Sequence, residues 1–385
     1  KIARFYAAFM LAFAGLAGIV ATGDAFNIFV FLEISSLASY GLISMGMDLR
    51  ALNAAIQYLV MCTIGATFIL IGIGFLYMMT GTLNIQDLGE RLPAVADTRT
   101  VRAGFAFLTV GIGLKLAMFP LHLWLPNAYT YAPSVVTAFL AATATKVAVY
   151  VLLRFVFNVF GADFSLGDMP LDPILMGLGL IGILSASLVA VFQHDVKRML
   201  AYSSVAQIGY MLIGIGLAST TGTGAAILHI FNHALMKGAL FLALGAVAYR
   251  IGAVTVRDFA GLGRRMPWTM AAIALGGLSL IGVPPTVGFI SKWYLVLGTL
   301  EQGLWPIAVL ILIGSLLALV YIWRLIEAAY FEAPVSNSVE VREAPASMLI
   351  PTWALVAANF YFGIQTDVSV GAAMRSAGVL MGSGG

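Results

Sequence analysis

Seven ionisable side chains lie in this sequence inside otherwise apolar runs: Glu33 (FNIFVFLEISSLASYGL), Lys115, Lys146, His229, His233 and Lys237 (AAILHIFNHALMKGALFL), and Lys292 (LSLIGVPPTVGFISKWYL). A charge in such surroundings is costly, and where it persists it marks a partner, a hydrated cavity or an ion route. The chemistry open to these residue types is proton exchange. Burial lowers a lysine's pKa and a nearby carboxylate raises it, so a small movement of the partner makes the lysine take or release a proton. Glu33 is the only acid deep in the first half of the chain, which makes it the partner for Lys115. Histidine, with an unperturbed pKa of about 6.5, exchanges protons through both ring nitrogens and bridges between lysines. His229, His233 and Lys237 are spaced four apart and so share one helix face; Lys146, Tyr150 and Arg154 have the same spacing.

Each group also has a structural reading. Glu33 with Lys115 is equally a static buried pair that fixes packing. A lone histidine on an apolar helix is more often a packing residue, but His229 and His233 share their face with Lys237, which favours a route. His122, beside Pro120 and Trp124, stays open. Lys292 either snorkels or sits at depth, and its place after two prolines and before an apolar run argues for depth. Arg154, Arg250, Arg324 and Glu327 read as interfacial anchors near helix ends, and Asp24 as a helix cap. A zinc motif built on HxxxH needs a glutamate between the histidines, and Phe231 and Asn232 do not supply one, so no metal is expected. The single cysteine, Cys62, excludes a disulfide framework and a cysteine-held cluster. No strand-linked glycine loop for a nucleotide occurs, so no cofactor is expected.

These residues have to be positioned by membrane-spanning helices. The 385 residues are 61% hydrophobic and 10% charged, and the mean hydropathy is +0.99; soluble domains carry about 25% charged residues. The 41 glycines suit helices packed closely in lipid. A net charge of +3 scattered over loops gives no case for nucleic acid. The expected fold is an all-α, polytopic membrane protein with about eleven spans, at 3–22, 25–46, 55–80, 103–126, 134–160, 171–192, 198–219, 224–249, 268–298, 303–331 and 346–363. Lys1, Arg4, Arg50, Lys197, Arg198, Arg250, Arg257, Arg264 and Arg265 fall on one side if these helices alternate, which places the first residue in the cytoplasm. Five helices precede the acidic loop of Asp163, Asp168 and Asp172, and five follow it. An odd number per unit makes any repeat inverted. The expected division is 1–165 for the first five-helix unit, 166–332 for the second, and 333–385 for a linker, one extra helix and a tail. The fourth helix of each unit carries prolines and a lysine: Pro120 with Lys115, and Pro284 and Pro285 with Lys292. The chain has no initiating methionine and no signal peptide, so it is expected to be part of something longer.

KLAMFPLHLWLPNAYTYAPSVVTAFLAATATKVAVYVLLRF, DVKRMLAYSSVAQIGYM, HIFNHALMKGALFL and IGVPPTVGFISKWYL together resemble the antiporter-like subunits shared by respiratory complex I and the Mrp cation/proton antiporters. The stretch TGDAFNIFVFLEISSLASYGLI looks most like the D-type subunit of the Mrp complex. The resemblance implies two inverted five-helix units with broken helices and a midplane row of charges that carries protons. Carried over, it assigns the conserved glutamate to Glu33, the broken-helix lysine to Lys115, the bridging lysine to Lys146, the histidine-rich helix to His229, His233 and Lys237, and the terminal broken-helix residue to Lys292. One complex I subunit type has glutamate at that last position, so lysine argues against that type. Family members usually carry further spans ahead of the two units.

The function expected is proton translocation by one subunit of an Mrp-type cation/proton antiporter in the plasma (inner) membrane. The Glu33–Lys115 pair gates the step, and the partners are other membrane subunits, the lipid bilayer, protons and Na+ as the candidate exchanged cation. The alternative is a proton-pumping subunit of a complex I (NADH:quinone oxidoreductase) or membrane-bound hydrogenase assembly. Neither reading places a redox site in this chain, and a passive scaffold with structural charges is the third.

Overall fold

In the computed structural model, residues 2–46, 48–252, 254–334 and 341–382 are described; Lys1, one of the basic groups used for orientation, lies outside them. The chain is all helical, with no strand among the described residues. The first half runs α1 (Ile2–Ala21), α2 (Ala25–Ser44), α3 (Leu49–Thr80), a short α4 (Ile85–Arg91), α5 (Arg99–Leu116), α6 (Trp124–Tyr131), α7 (Ser134–Ala142) and α8 (Ala144–Leu153), which widens into a π-type turn over Arg154–Val159. The second runs α9 (Leu171–Val191), α10 (Val196–Gly216), α11 (Thr220–Ile251), a single turn α12 (Leu262–Arg265), α13 (Pro267–Ile281), α14 (Val287–Glu301) and α15 (Trp305–Phe331). Then follow α16 (Ala346–Ile364) and α17 (Asp367–Leu380).

Nine helical segments among the described residues are long and apolar enough to cross a membrane. The broken pairs α5–α6 and α13–α14 supply the other two crossings, which accounts for the eleven expected spans. The chain is a polytopic membrane protein. Its centre is α10 and α11, of which 94% and 72% of the apolar stretch is buried in the protein, against 22% for α1 and α16 at the periphery. Close approach explains why small residues sit at the crossings: a Cβ on Gly209 would lie 2.5 Å from the Gly179 carbonyl oxygen of α9.

The helix ends follow local chemistry. Asp24 accepts the Asn27 amide at the start of α2, as its position predicts. Asp48 caps α3 through the Arg50 amide, so that helix begins six residues ahead of the expected 55 (55 − 49). The fourth span of the first half stops at Ala117, which takes a left-handed φ of 60°, ahead of the cis Phe119–Pro120 bond. Its counterpart stops at Gly282, with φ 94°, ahead of the cis Pro284–Pro285 bond. Between α3 and α5, Asn84 caps α4 through the amides of Gln86 and Asp87. Helix α17 extends beyond the single extra helix that the sequence pattern predicts.

The two halves repeat each other at the backbone. Gly23, Asp24 and Ala25 pair with Leu83, Asn84 and Ile85 after α3, and His194, Asp195 and Val196 pair with Val254, Thr255 and Val256 after α11. Both pairings are separated by the same step of 171 residues (195 − 24 and 255 − 84). Gly81 and Gly252, both at positive φ, close α3 and α11 at that step too. With five crossings between them, the two pairings fall at opposite ends of the bundle, which is the inversion expected from the odd helix count.

Candidate functional site

Lys115 stands in the last turn of α5, where the helix dipole favours a cation and four carbonyls lack intrahelical partners. Its Nζ donates to Glu33 Oε1 at 2.8 Å and to Ser36 Oγ at 2.8 Å, both on α2. The Glu33 side chain keeps 23% exposure while that of Lys115 keeps 5%, so the carboxylate is the member of the pair nearer the surface. Trp124, just past the break, donates its indole N–H to the Leu114 carbonyl and satisfies one of the orphaned groups. Behind the lysine, Ser36, Ser39, Tyr58, Cys62, Lys115 and Ala144 line an enclosed cavity of about 30 Å³, room for one water. Its far wall is α8, the helix that carries Lys146.

The other three lysines share a different device. Lys146 follows the interruption between α7 and α8 at Thr143, and its Nζ donates to the Ala141 carbonyl across that interruption and to Thr145 Oγ1 at 3.3 Å. Lys292 follows the break between α13 and α14; its Nζ donates back to the carbonyls of Leu280 at 3.0 Å and Ile281 at 2.9 Å, and to Ser315 Oγ at 3.1 Å. Lys237 Nζ donates to the Leu200 carbonyl at 2.8 Å and to Ser203 Oγ on α10. Carbonyls freed at helix breaks therefore hold the ammonium groups of Lys146 and Lys292, a carbonyl near the start of α10 holds that of Lys237, and neighbouring hydroxyls complete all three. Among the described residues only Lys115 of the four meets a carboxylate.

The histidines lie between them. His229 places Nε2 2.9 Å from Gln207 Oε1 and Nδ1 2.7 Å from Ser291 Oγ. With Gln207 accepting, Nε2 carries the hydrogen; Nδ1 accepts from the Ser291 hydroxyl in the neutral ring and donates to the same oxygen once the ring gains a second proton. The His233 ring stacks on His229 with centroids 5.9 Å apart and planes at 9°, and both its ring nitrogens are buried without a hydrogen-bond partner. Tyr210 closes the row: its ring meets His229 edge-on at 5.8 Å and lies under the Lys292 ammonium at 4.8 Å.

The structure thus joins Glu33 to Lys115, and His229 to His233 and, through Ser291 and Tyr210, to Lys292. Among the described residues Lys146 makes no hydrogen bond or ion pair with the other six. Its own helix continues the predicted stripe, with Arg154 Nη1 donating to Tyr150 Oη at 2.6 Å. The expected equivalence of Lys115 and Lys292 holds only for their helices. Aligned on the left-handed residues Ala117 and Gly282, Lys115 lies before its break and Lys292 after its own, so one uses a carboxylate on a neighbouring helix and the other the carbonyls of its own broken partner. His122 is buried, stacks on Phe119 at 5.3 Å and leaves Nδ1 without a hydrogen-bond partner. Arg324, expected as an interfacial anchor, donates to the carbonyls of Val191 and Gln193 at the end of α9.

Sequence reasoning passed over the neutral members: Ser36, Tyr58, Gln207, Tyr210 and Ser291. The 171-residue step would have found most of them. It sets Ser36 against Gln207, Ser39 against Tyr210, Tyr58 against His229 and Cys62 against His233, so the polar lining of the Lys115 cavity is the first-half counterpart of the histidine row.

Residues 22–318 match the family described as NADH:quinone oxidoreductase/Mrp antiporter, transmembrane. The chain is similar to the N subunit of the NADH-quinone oxidoreductase of Desulforudis audaxviator, at 47% identity over 362 residues, 90% of this chain and 71% of that protein. It is similar to the D subunit of the Na(+)/H(+) antiporter of Alkalihalophilus pseudofirmus at 31% identity, covering 94% of this chain and 73% of the relative. Among solved structures, a chain of the Mrp complex from Dietzia superimposes with a TM-score of 0.88 at 26% identity, over 97% of this chain and 77% of the other. A chain of respiratory complex I from Thermus thermophilus superimposes with a TM-score of 0.78 at 28% identity, over 96% and 80%.

Proposed function

Because this chain belongs to the NADH:quinone oxidoreductase/Mrp antiporter transmembrane family, we propose that it is a proton-translocating subunit of a multi-subunit membrane complex. Protons move along Lys146, Lys237, His233 and His229 and leave by Lys292, while the Glu33–Lys115 pair gates the step. The observation that carries this reading is the difference in how the lysines are held. Three have only carbonyl and hydroxyl acceptors, and such an ammonium can give up its proton without abandoning a fixed carboxylate. The fourth is paired with a glutamate that stays partly exposed, so any displacement of α2 relative to α5 changes its electrostatic partner.

The units of the machine are 1–165 and 166–332, with 333–385 as linker, further helix and tail. The first residues face the cytoplasm of a plasma membrane, on the evidence of the basic loops. Other membrane subunits of the same complex are the partners, and Na+ is the candidate exchanged cation of an Mrp-type assembly. The second reading, a pumping subunit driven by redox chemistry elsewhere in a complex I-like assembly, is favoured by the 47% identity to an oxidoreductase N subunit.

The test is proton flux in vesicles holding the assembled complex. Lys115→Ala and Glu33→Ala are expected to reduce flux at least tenfold with assembly intact on a native gel. Wild-type flux in both would reject the gate and leave a scaffold of structural charges.

A further inference from the structure

A cleft of about 830 Å³ opens at the surface between α8, α11 and α17. Its walls are apolar, with Val147 and Leu153 from α8, Ile227, Ile230 and Phe231 from α11, and Val379 and Leu380 from α17 among them. Its polar lining includes Lys146, Arg154 and Arg375, and no acidic residue lines it. Arg154 donates to the Tyr150 hydroxyl, and among the described residues neither arginine has a carboxylate partner. Along α8 the eight residue steps from Lys146 to Arg154 (154 − 146) span about 12 Å. The cleft therefore pairs guanidinium groups with a hydrocarbon slot that reaches the level of Lys146. Arg recognises phosphate by paired N–H donors, and the volume lies in the range of roughly 300–1,000 Å³ typical of small-ligand sites.

We propose that this cleft is a binding site for one anionic phospholipid, with its phosphate on Arg154 and Arg375 and one acyl chain laid between Val147, Ile230 and Phe231 above Lys146. Charge complementarity selects the occupant: a zwitterionic lipid offers the guanidinium groups a phosphate already neutralised by its own cation, and an apolar partner helix leaves both arginines unmatched. Seated there, the acyl chain separates Lys146 from the surface on its open side. Lipid occupancy of the cleft is independent of the proton route, since it is read from lipid content alone.

The experiment is quantitative lipid analysis of the purified, delipidated protein, alongside thermal unfolding with added phosphatidylglycerol or phosphatidylcholine. The wild type is expected to retain about one phosphatidylglycerol per chain and to be stabilised by that lipid over phosphatidylcholine. Arg154→Gln with Arg375→Gln is expected to lower retention at least tenfold, and the lysine pair at the same positions to keep part of it. Should the glutamine pair fail to fold, Ala234→Trp, which fills the slot and leaves both arginines, is expected to give the same loss. Equal retention of the two lipids, undiminished retention in the glutamine or tryptophan variant, or crosslinking of a cysteine at Val379 to another protein rather than to lipid would overturn the proposal.

Discussion

Gln207 and Ser291 set which nitrogen of His229 carries its hydrogen, and that assignment decides whether the ring can pass a proton onward. Replacing Gln207 by leucine removes the acceptor of a buried N–H, an unmet group that costs about 1–3 kcal/mol. Flux through the assembled complex is expected to fall by roughly tenfold or more, and Gln207→Glu, which keeps the acceptor, to retain more activity than the leucine variant. Lys292→Met is expected to do two things at once, because the same ammonium that would carry a proton also satisfies the carbonyls of Leu280 and Ile281. Lower flux and a lower unfolding temperature together are the signature; lower flux alone would mean that water replaces the ammonium at the break. The carbonyl partners of the three lysines could not have been read from residue types. They are backbone groups: those that meet Lys146 and Lys292 are free because a helix stops in that place, and the one that meets Lys237 belongs to another helix, α10.

At the level of elements, the broken helices depend on backbone contact. A Cβ on Gly288, in the first turn of α14, would stand 1.8 Å from the Ser279 carbonyl oxygen of α13. Gly288→Ala is therefore expected to abolish recovery of folded protein, whereas Gly177→Ala, where nothing lies within 4 Å, is expected to be neutral; both are read by size-exclusion chromatography. Helix α10 offers a pH test outside the membrane spans. Asp195 caps it by accepting the Arg198 amide, while burial pushes its carboxyl above the ordinary value against the pull of that hydrogen bond. A raised carboxyl binds its proton more tightly folded than unfolded, so its contribution to stability falls as pH rises through the raised value. Asp195→Asn, which keeps a capping oxygen and no charge, is expected to flatten the fall in unfolding temperature as pH rises above the ordinary carboxyl value of about 4, and Asp195→Ala to lose about 0.5–2 kcal/mol at every pH. The helices themselves were legible as apolar runs, but their ends were read less well: α3 starts early on the Asp48 cap, and two spans divide where Ala117 and Gly282 turn left-handed.

For the whole molecule, sidedness is what labelling can test. Alternation of the crossings places Arg50 and Arg264 on one side and Glu301 on the other. Single cysteines at Arg264 and Glu301 are expected to react with a membrane-impermeant thiol reagent from opposite sides of sealed vesicles, with Arg264→Cys labelled from the cytoplasmic side. The native Cys62 is 3% exposed and gives little background. Labelling of both positions from the same side would contradict the inverted arrangement, and labelling with the sides exchanged would reverse the orientation alone.

Composition and hydropathy by themselves determined a polytopic helical membrane protein, and the spacing of His229, His233 and Lys237 determined their common face, because a helix converts sequence separation directly into direction. The rare charges announced themselves for the same kind of reason: lipid-embedded sequence tolerates so few that each is visible by contrast. The partner of Lys115 was legible as the one deep acid of its half, but only the tertiary structure decided which acceptors Lys146, Lys237 and Lys292 meet, that Lys115 and Lys292 flank their breaks from opposite sides, and that Gln207, Ser291 and Tyr210 complete the row. Those pairings join residues on separate helices, and the approach of two helices is fixed by packing over their whole length, a quantity that no single stretch of sequence contains.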